Sequence, residues 1–533
     1  MILGKDIQGQ VREEHGALKL WQADNEDGTY TNPILYADYS DPDVIRVGDD
    51  FYMTHSSFNA APGLPILHSK DLVNWEIVNY ALERLVPLDH YNIPRHSKGV
   101  WAPSIRYHKG EYFIFWGDPD FGIFMVKAEN PRGKWSEPLL ILEGKGLIDP
   151  CPLWDGDEAY LVHAWAGSRA GINSILTIRE MNEAGTKITS QGRNVFDGHD
   201  GHHTVEGPKL YKKDGYYWIF APAGGVEQGW QLAMRSKNIY GPYEEKIVLE
   251  QGSTAINGPH QGGLVTAPNE SFWFLHFQDQ GVYGRVLMLQ PVTWNDGWPK
   301  MGNDFDGNGI GEPVQTYRKP VKGFDARAPR INDDFKNGRP GLQWQWYANP
   351  SVKYSAQIPG TDYLRLFCIS KGDEPNLWNV PNILLQKLPA PSFTATVQLS
   401  LTTEWNTPGK TAGLVMMGQS YSYIAISFHN DAYWIQQVIA NDAVNGGEEK
   451  IIEEQKLTSN RAFLQMQVEE LDAKCSFSYS ENGKDYKKIG KVFFAERDLW
   501  ISAKMGLFST SNPDVRMGGY ADFREFKVKR INK

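Results

Sequence analysis

The chain has 533 residues, too many for one ordinary domain, so its length favours two domains. Its formal net charge of -10 argues against a nucleic-acid partner, because phosphate binding needs basic patches and no long Lys/Arg run is present. The cysteines, Cys151, Cys368 and Cys475, are far apart and lack CxxC spacing, so neither a disulfide framework nor a zinc site is expected.

The N-terminal stretch, Met1 to Gln10, has no apolar run long enough for a signal peptide. Nothing in the chain approaches the ~18 consecutive apolar residues of a transmembrane helix, so we expect no membrane partner. The sequence therefore predicts a cytoplasmic protein. A secreted protein whose leader has been removed has the same pattern.

Five hairpin-like units recur before residue 290, each a β-rich run, a short polar turn and an aromatic β-rich run. Gly, Asp and Asn occupy the turns, where tight hairpins need positive φ. The paired runs are Val44–Val47 and Phe51–Thr54, Ser104–Tyr107 and Tyr112–Phe115, Pro152–Trp154 and Ala159–Val162, Lys209–Tyr211 and Tyr216–Ile219, and Gly263–Val265 and Phe272–Leu275. Their period of about 45 to 60 residues is typical of propeller blades, so residues 1–318 are predicted to form a five-bladed β-propeller.

The composition turns to Gly, Pro and Asp from about Phe305 to Pro329, which is typical of a linker. Short alternating strands follow, such as Phe393 to Leu401 and Gly413 to Met417. Asn-Gly pairs at 337–338 and 482–483 are hairpin signals. Strands at this spacing without the five-fold repeat predict a β-sandwich, of jelly-roll or concanavalin-like type, over residues 319–533.

One short motif precedes each of the five hairpins, roughly seven to nine residues before the centre of its turn. The motifs are Ser-Asp-Pro-Asp with Asp41, Trp-Ala-Pro-Ser with Trp101, Ile-Asp-Pro-Cys with Asp149, Val-Glu-Gly-Pro with Glu206 and Pro-His-Gln-Gly-Gly with His260. The first strand of each propeller blade lines the central channel, so equivalent positions in five blades converge on one axis. We therefore expect these five side chains to meet in one funnel.

Three of the converging side chains are acids, and they could simply cap backbone amides at blade-edge turns. Three facing acids repel one another and raise one another's pKa, a cost that proteins accept mainly at functional sites. Glycoside hydrolysis needs one carboxylic acid to protonate the leaving oxygen and a second carboxylate to activate water or to attack. A third acid can hold the first in position and raise its pKa.

The sequence resembles glycoside hydrolase family 43 over nearly its whole length, including a C-terminal sandwich like those of the family's β-xylosidases and arabinofuranosidases. The opening pattern runs from Tyr30 to Ile45 and contains Asp-Tyr-Ser-Asp-Pro-Asp. The resemblance implies that Asp41, instead of Asp38 or Asp43, is the general base. It further implies that Asp149 modulates a pKa, that Glu206 is the general acid, and that hydrolysis inverts the anomeric configuration.

The same resemblance suggests how the substrate is bound. Trp101 and Phe58 resemble the family's sugar-stacking aromatics, although ordinary core packing also explains Phe58. Arg285, in Tyr-Gly-Arg-Val, resembles the arginine that hydrogen-bonds sugar hydroxyls in family β-xylosidases. A structural salt bridge is the alternative for Arg285.

Calcium is the one cofactor that the sequence suggests. His260 resembles the channel histidine of family members that hold calcium near the active site, although calcium prefers oxygen ligands and contact partly through water is expected. A hydrogen-bonded histidine without an ion is the alternative. Asp333 and Asp522 are candidate ligands for a structural calcium in the sandwich, as in similar sandwiches.

Two further patterns resemble metal sites but favour simpler explanations. His199, His202 and His203 cluster before Glu206 in a Gly-rich stretch without a matching second cluster, which favours a polar rim loop that could touch substrate. The run of Asp304, Asp306, Asn308 and Gly309 matches the start of an EF-hand loop. Its twelfth position is Gln315 and no helices flank it, so a propeller-closing or linker loop is favoured.

We therefore expect an exo-acting, inverting hydrolase that removes terminal β-D-xylosyl units from xylo-oligosaccharides. The close alternative is an α-L-arabinofuranosidase, because the two sugars place their hydroxyls similarly and family members often cleave both. An inactive propeller that binds sugar is the alternative of a different class, and the three acids argue against it. A structural scaffold gives no reason for acids at the blade starts.

Overall fold

The computed structural model describes residues 20–470, 472–513 and 518–531. The predicted repeats are confirmed as five four-stranded antiparallel sheets, each built from consecutive strands. Helical structure is almost absent from these residues. The helical segments are α1 (Gly167–Ala170) and short 3-10 turns at His90–Asn92, Gly281–Tyr283, Lys336–Gly338, Glu404–Asn406 and Ala443–Asn445. No helix in the described ranges is long and apolar enough to cross a membrane.

Each predicted hairpin forms the first two strands of a blade. A short strand, β1 (Thr29–Thr31), precedes the blades. Blade one consists of β2 (Asp43–Val47), β3 (Asp50–Thr54), β4 (Gly63–Ser69) and β5 (Trp75–Leu82), and blade two of β6 (Trp101–His108), β7 (Glu111–Asp118), β8 (Gly122–Ala128) and β9 (Leu139–Glu143). Blade three consists of β10 (Leu147–Asp155), β11 (Glu158–Trp165), β12 (Ile175–Met181) and β13 (Arg193–Asp197), and blade four of β14 (Lys209–Lys213), β15 (Tyr216–Ala223), β16 (Trp230–Ser236) and β17 (Glu244–Leu249). Blade five consists of β18 (His260–Thr266), β19 (Phe272–Asp279), β20 (Arg285–Asn295) and β21 (Trp298–Met301).

Apolar side chains between neighbouring blades close the ring. Val44 and Phe51 of blade one pack in the same buried cluster as Val265 and Trp273 of blade five. The strand β22 (Thr316–Arg318) pairs with β1 beside this junction. First and last blades are thereby joined, and the first strands of the blades surround a common axis.

The C-terminal unit is the predicted β-sandwich, with sheets of eight and seven strands. The strands are β23 (Gln345–Trp346), β24 (Ser355–Ala356), β25 (Leu364–Phe367), β26 (Ile369–Ser370), β27 (Leu384–Lys387), β28 (Phe393–Thr402), β29 (Lys410–Met417), β30 (Tyr421–His429), β31 (Ala432–Ala440), β32 (Glu449–Lys456), β33 (Arg461–Glu469), β34 (Lys474–Ser480), β35 (Lys487–Phe494), β36 (Lys504–Ser511) and β37 (Tyr520–Lys529). Alternate residues of β28 are buried, so one face of its sheet packs on the core between the sheets.

The sandwich packs directly against the propeller. Ala61 and Trp346 exchange backbone hydrogen bonds of 3.0 and 2.6 Å across the junction. The segment predicted as a linker contains β22, so part of it belongs to the closure of the propeller. The boundary between residues 318 and 319 stays a prediction; the blade strands end at Met301 and the sandwich strands begin at Gln345.

Candidate active site

The five motif residues all lie where the first strand of a blade begins. Trp101 and His260 open β6 and β18, and Asp149 lies near the start of β10. Asp41 and Glu206 lie two and three residues before β2 and β14. The structure thus places the three acids, the tryptophan and the histidine at or just before the start of the first strand of their blades, as the repeat predicts.

The five motif residues fall into two groups whose positions differ by one residue along the chain. Asp41 and Asp149 have left-handed φ values of 55° and 56°. In the other blades the left-handed residue is the one that follows the motif side chain: Ala102 (φ 35°), Gly207 (φ 60°) and Gln261 (φ 38°). Trp101, Glu206 and His260 therefore lie one residue before the left-handed position, whereas Asp41 and Asp149 occupy it. Positive φ in residues other than glycine is costly and concentrates at functional sites.

Asp41 is a buried carboxylate held by three donors. The hydroxyls of Ser40 and Ser56 donate to its Oδ2 at 2.7 and 2.5 Å. Nη1 of Arg285 donates to Oδ1 at 3.1 Å and to Ser40 Oγ at 2.6 Å. A guanidinium and two hydroxyls are strong hydrogen-bond donors to a carboxylate, so the position of the Asp41 side chain is fixed from three sides.

Asp149 and Glu206 lie side by side across two blades. Oδ2 of Asp149 accepts a hydrogen bond of 2.7 Å from the backbone N–H of Gly207, the residue after Glu206. Asp149 is 4 % exposed, whereas the Glu206 side chain, although deeply surrounded by protein, keeps 36 % of its surface accessible. The more open of the two acids can therefore reach a substrate.

The two acids hold protons more tightly than ordinary carboxyl groups. Burial, followed by the charges of Asp149 and Asp41, raises the pKa of Glu206 to about 8. Burial and the charge of Asp41 raise the pKa of Asp149 to about 7, against the opposing effects of the Gly207 N–H, Lys209 and Arg285. Both raised pKa values favour the protonated forms of these two acids near neutral pH.

Glycoside hydrolases use a pair of carboxyl groups in different environments, and here one has a raised pKa while the other is held by a guanidinium. The sequence model of the family described as "Glycosyl hydrolases family 43" matches residues 30–299. The model described as "Beta xylosidase C-terminal Concanavalin A-like domain" matches residues 332–529. The chain belongs to glycosyl hydrolases family 43. The chain is therefore a glycoside hydrolase, and the relatives that match it include proteins named as a beta-xylosidase and as an alpha-L-arabinofuranosidase.

Relatives of known name match most of the chain. A beta-xylosidase of Formosa agariphila is 33% identical over 549 residues, covering 94% of this chain and 90% of the relative. A non-reducing end alpha-L-arabinofuranosidase of Bacteroides ovatus is 33% identical over 358 residues, covering 63% of this chain and 65% of the relative. The crystal structure of the GH43 protein BlXynB from Bacillus licheniformis has a TM-score of 0.80 at 27% identity, covering 94% of this chain and all of that one.

The predicted substrate residues surround the acids to different degrees. Trp101 is partly exposed, and its indole N–H donates to the Ser97 carbonyl at 2.8 Å. Phe58 is only 5 % exposed and meets Trp101 edge-on, with ring centroids 6.4 Å apart. Arg285 forms a salt bridge with Asp41, which is the structural alternative considered for this arginine. Direct sugar contact by these three residues stays a prediction.

His260 lies deep in the channel. Its side chain is 1 % exposed, Nε2 is 3.9 Å from Glu206 Oε1, and neither ring nitrogen has a hydrogen-bond partner among the described residues. Burial, with smaller effects of Arg285 and His276, lowers the pKa of His260 to about 3, so the ring is neutral. Orphaned nitrogens of this kind fit ordered water. A calcium ion reached through such water stays a prediction.

The two candidate ligands in the sandwich do not fit a calcium site. Asp333 accepts hydrogen bonds from the backbone N–H groups of Phe335 and Gly341 and from the Trp344 indole, at 2.7 to 2.9 Å. Asp522 forms a two-pronged ion pair with Arg365, with both bonds at 2.8 Å. Both carboxylates are occupied by donors of the protein, so no contact described here supports the calcium site that the sequence predicts.

The two other metal-like patterns form loops. His199 contacts Asp197, His202 lies 3.1 Å from Glu245, and His203 packs edge-on against Trp230. Within the described ranges, no group of three His, Cys, Asp or Glu side chains could hold a metal. The carboxylate of Asp304 accepts from the N–H groups of 307 and 309, so it stabilises its own loop.

Two buried residues that support the site, Ser56 and Lys209, were not predicted from the sequence. Ser56 lies 15 residues after Asp41, outside any motif, and links it to blade two because its hydroxyl also accepts from Ala102 N at 2.7 Å. Lys209 is fully buried and donates to the Pro103 carbonyl and the Ser104 hydroxyl at 3.1 and 2.8 Å. Its position directly after Glu206-Gly-Pro was the one available signal.

Proposed function

We propose that this chain is an exo-acting, inverting β-xylosidase that releases terminal β-D-xylosyl units from xylo-oligosaccharides. The observation that carries the proposal is the different environment of two acids. Asp41 is held by Arg285 at 3.1 Å, and Glu206 has a pKa raised to about 8. Glycoside hydrolysis requires one charged and one protonated carboxylate in the same state of the enzyme, and the proposal of inversion follows the family resemblance of the three acid motifs.

Each acid then has one role. Glu206 gives its proton to the glycosidic oxygen as the bond to the leaving group breaks. Asp41 takes a proton from a water molecule as that water attacks the anomeric carbon from the opposite face. Asp149 stays beside the acid and keeps it protonated until the substrate arrives. Trp101 offers an aromatic surface on which a sugar ring can stack.

The close alternative is α-L-arabinofuranosidase activity, alone or together with the first. It is supported by the relative of Bacteroides ovatus that is named as a non-reducing end alpha-L-arabinofuranosidase and is 33% identical over 63% of this chain. An inactive sugar-binding propeller is disfavoured by the occurrence of all three acids at the blade starts.

Hydrolysis of aryl β-D-xyloside and aryl α-L-arabinofuranoside, measured side by side, separates these functions. We expect kcat/KM to be higher on the xyloside. A higher value on the arabinofuranoside assigns the alternative, and no turnover of either, with binding retained, assigns the sugar-binding protein.

Stereochemistry tests the mechanism independently. NMR of the first xylose released from aryl β-D-xyloside should show the α-anomer. The Asp41 and Glu206 carboxyls should lie ~6.5–9.5 Å apart in a crystal structure, leaving room for water. Formation of the β-anomer, with a separation of about 5 Å, contradicts inversion.

A further inference from the structure

Asp38 is a buried acid to which the catalytic scheme gives no role. It lies three residues before Asp41 and is 4 % exposed. Its Oδ1 accepts a hydrogen bond of 3.0 Å from the backbone N–H of Arg285, and its Oδ2 accepts one of 3.1 Å from the backbone N–H of Ser502. One carboxylate therefore joins blade five to the sandwich.

The contact with Arg285 determines where that residue's guanidinium lies. Its backbone is held on both sides, because its carbonyl also accepts from Tyr39 N at 2.8 Å. The preceding Gly284 has a φ of 76°, and a Cβ there would lie 2.7 Å from the Asp38 carboxylate, so only glycine allows this close approach. At the other end, the guanidinium packs over Phe277 at 4.8 Å and donates to Asp41.

The sandwich side of the contact is equally well fixed. Ser502 lies two residues before β36, and the intervening residue, Ala503, donates its N–H to the Val282 carbonyl at 2.9 Å. Lys387 and Lys504, both from the sandwich, interact electrostatically with Asp38. Two cations and two N–H donors offset the cost of burying this carboxylate.

We propose that Asp38 is a positioning residue for glycoside hydrolysis. Asp38 anchors the backbone of Arg285 to the sandwich, and Arg285 in turn holds the base Asp41. The proposal rests on the role of Asp41 given under the proposed function. It also gives the sandwich a part in the reaction, because Ser502 is one of the two donors that orient Asp38.

A double-mutant cycle between Asp38 and Arg285 tests this role on the full-length chain. In the natural background, Asp38→Ala should lower kcat/KM on aryl β-D-xyloside about tenfold to a hundredfold, mainly through kcat, because small displacements of a catalytic group are costly. In the Arg285→Ala background, the same change should lower kcat/KM by less than about twofold, since the group that Asp38 positions is gone. Asp38→Asn keeps one acceptor oxygen and should give an intermediate loss.

The matched control is Gln345→Ala. Gln345 also joins the two units, through a hydrogen bond of 2.7 Å from its Nε2 to the Pro62 carbonyl, but it does not contact Arg285. Its loss should lower the thermal unfolding midpoint while kcat/KM stays within about twofold of the natural value. Assays are run well below the midpoint of each variant.

The outcomes separate this proposal from the proposed function. An equal loss from Asp38→Ala in both backgrounds, or activity of both Asp38 variants within twofold of the natural value, makes Asp38 merely structural. If Asp38→Ala fails to fold, the cycle is run with Asp38→Asn and judged by the same criterion. Full activity of Asp41→Asn and Arg285→Ala instead contradicts the proposed function itself.

Discussion

The carboxylate of Asp149 accepts the backbone N–H of Gly207 at 2.7 Å, next to the acid Glu206. Two blades are thus joined at the point where the pKa of Glu206 is set. The charge of Asp149 follows burial as the second cause of the raised Glu206 pKa. Asp149 therefore influences the acid through its charge and through the backbone that carries it.

The first prediction concerns that charge. Asp149→Asn removes a negative neighbour, so the pKa of Glu206 falls from its raised value of about 8. Because activity needs protonated Glu206, the basic limb of the kcat/KM profile should move to lower pH. The profile is recorded on aryl β-D-xyloside. An unchanged limb together with unchanged activity makes Asp149 a structural residue.

Glu206→Gln should distinguish substrates by their leaving groups. The variant has no proton to donate, so turnover of unactivated xylobiose should fall about 10²–10⁴-fold. Aryl xylosides with good leaving groups need little protonation and should lose much less. Circular dichroism checks that the variant is folded. Equal losses on both substrates contradict the assignment of Glu206 as the acid.

Asp41→Asn should impair substrates with good and with poor leaving groups to the same extent. Activation of water is required whatever the leaving group, so turnover of xylobiose and of aryl xyloside should both fall about 10²–10⁴-fold. Asparagine is nearly isosteric, so Ser40 and Ser56 can keep their contacts and the fold should be retained. Near-native turnover of either substrate shows that another group activates the water.

The channel calcium is tested by chelation. If a water-bound calcium lies near His260, it offsets the repulsion among the acids, and its removal should reduce activity partly. Added calcium should restore the loss. His260→Ala should be impaired and insensitive to both treatments. Full activity after exhaustive chelation, with no calcium detected by metal analysis, removes the ion from the mechanism.

The sandwich should behave as a calcium-free unit. Asp333 accepts from the indole N–H of Trp344 at 2.9 Å and from two backbone N–H groups, so Asp333→Ala leaves buried donors unsatisfied. We expect a loss of about 3 kcal/mol in the free energy of unfolding. A chelator should leave the unfolding midpoint of the natural protein unchanged. A midpoint that falls with chelator and recovers with calcium contradicts this prediction.

The sequence by itself was enough to recognise the five-fold repeat. From that repeat, the propeller fold and the convergence of the three acids could be predicted. Turn residues and alternating apolar positions act locally, so hairpins such as 44–54 are readable without a structure. The five-fold period then placed Asp41, Asp149 and Glu206 on one axis, because a propeller brings the first strand of every blade to its centre.

The tertiary structure alone decided the finer geometry. The one-residue offset between Asp41 and Glu206 arises from left-handed residues at the strand starts, and φ cannot be read from an Asp-Pro or Glu-Gly-Pro motif. The donors to Asp41 come from residues 40, 56 and 285, and contacts between distant segments leave no local pattern. Asp333 and Asp522 resembled metal ligands because an acidic residue type does not reveal its partners. Their N–H and guanidinium donors come together only when the strands pack.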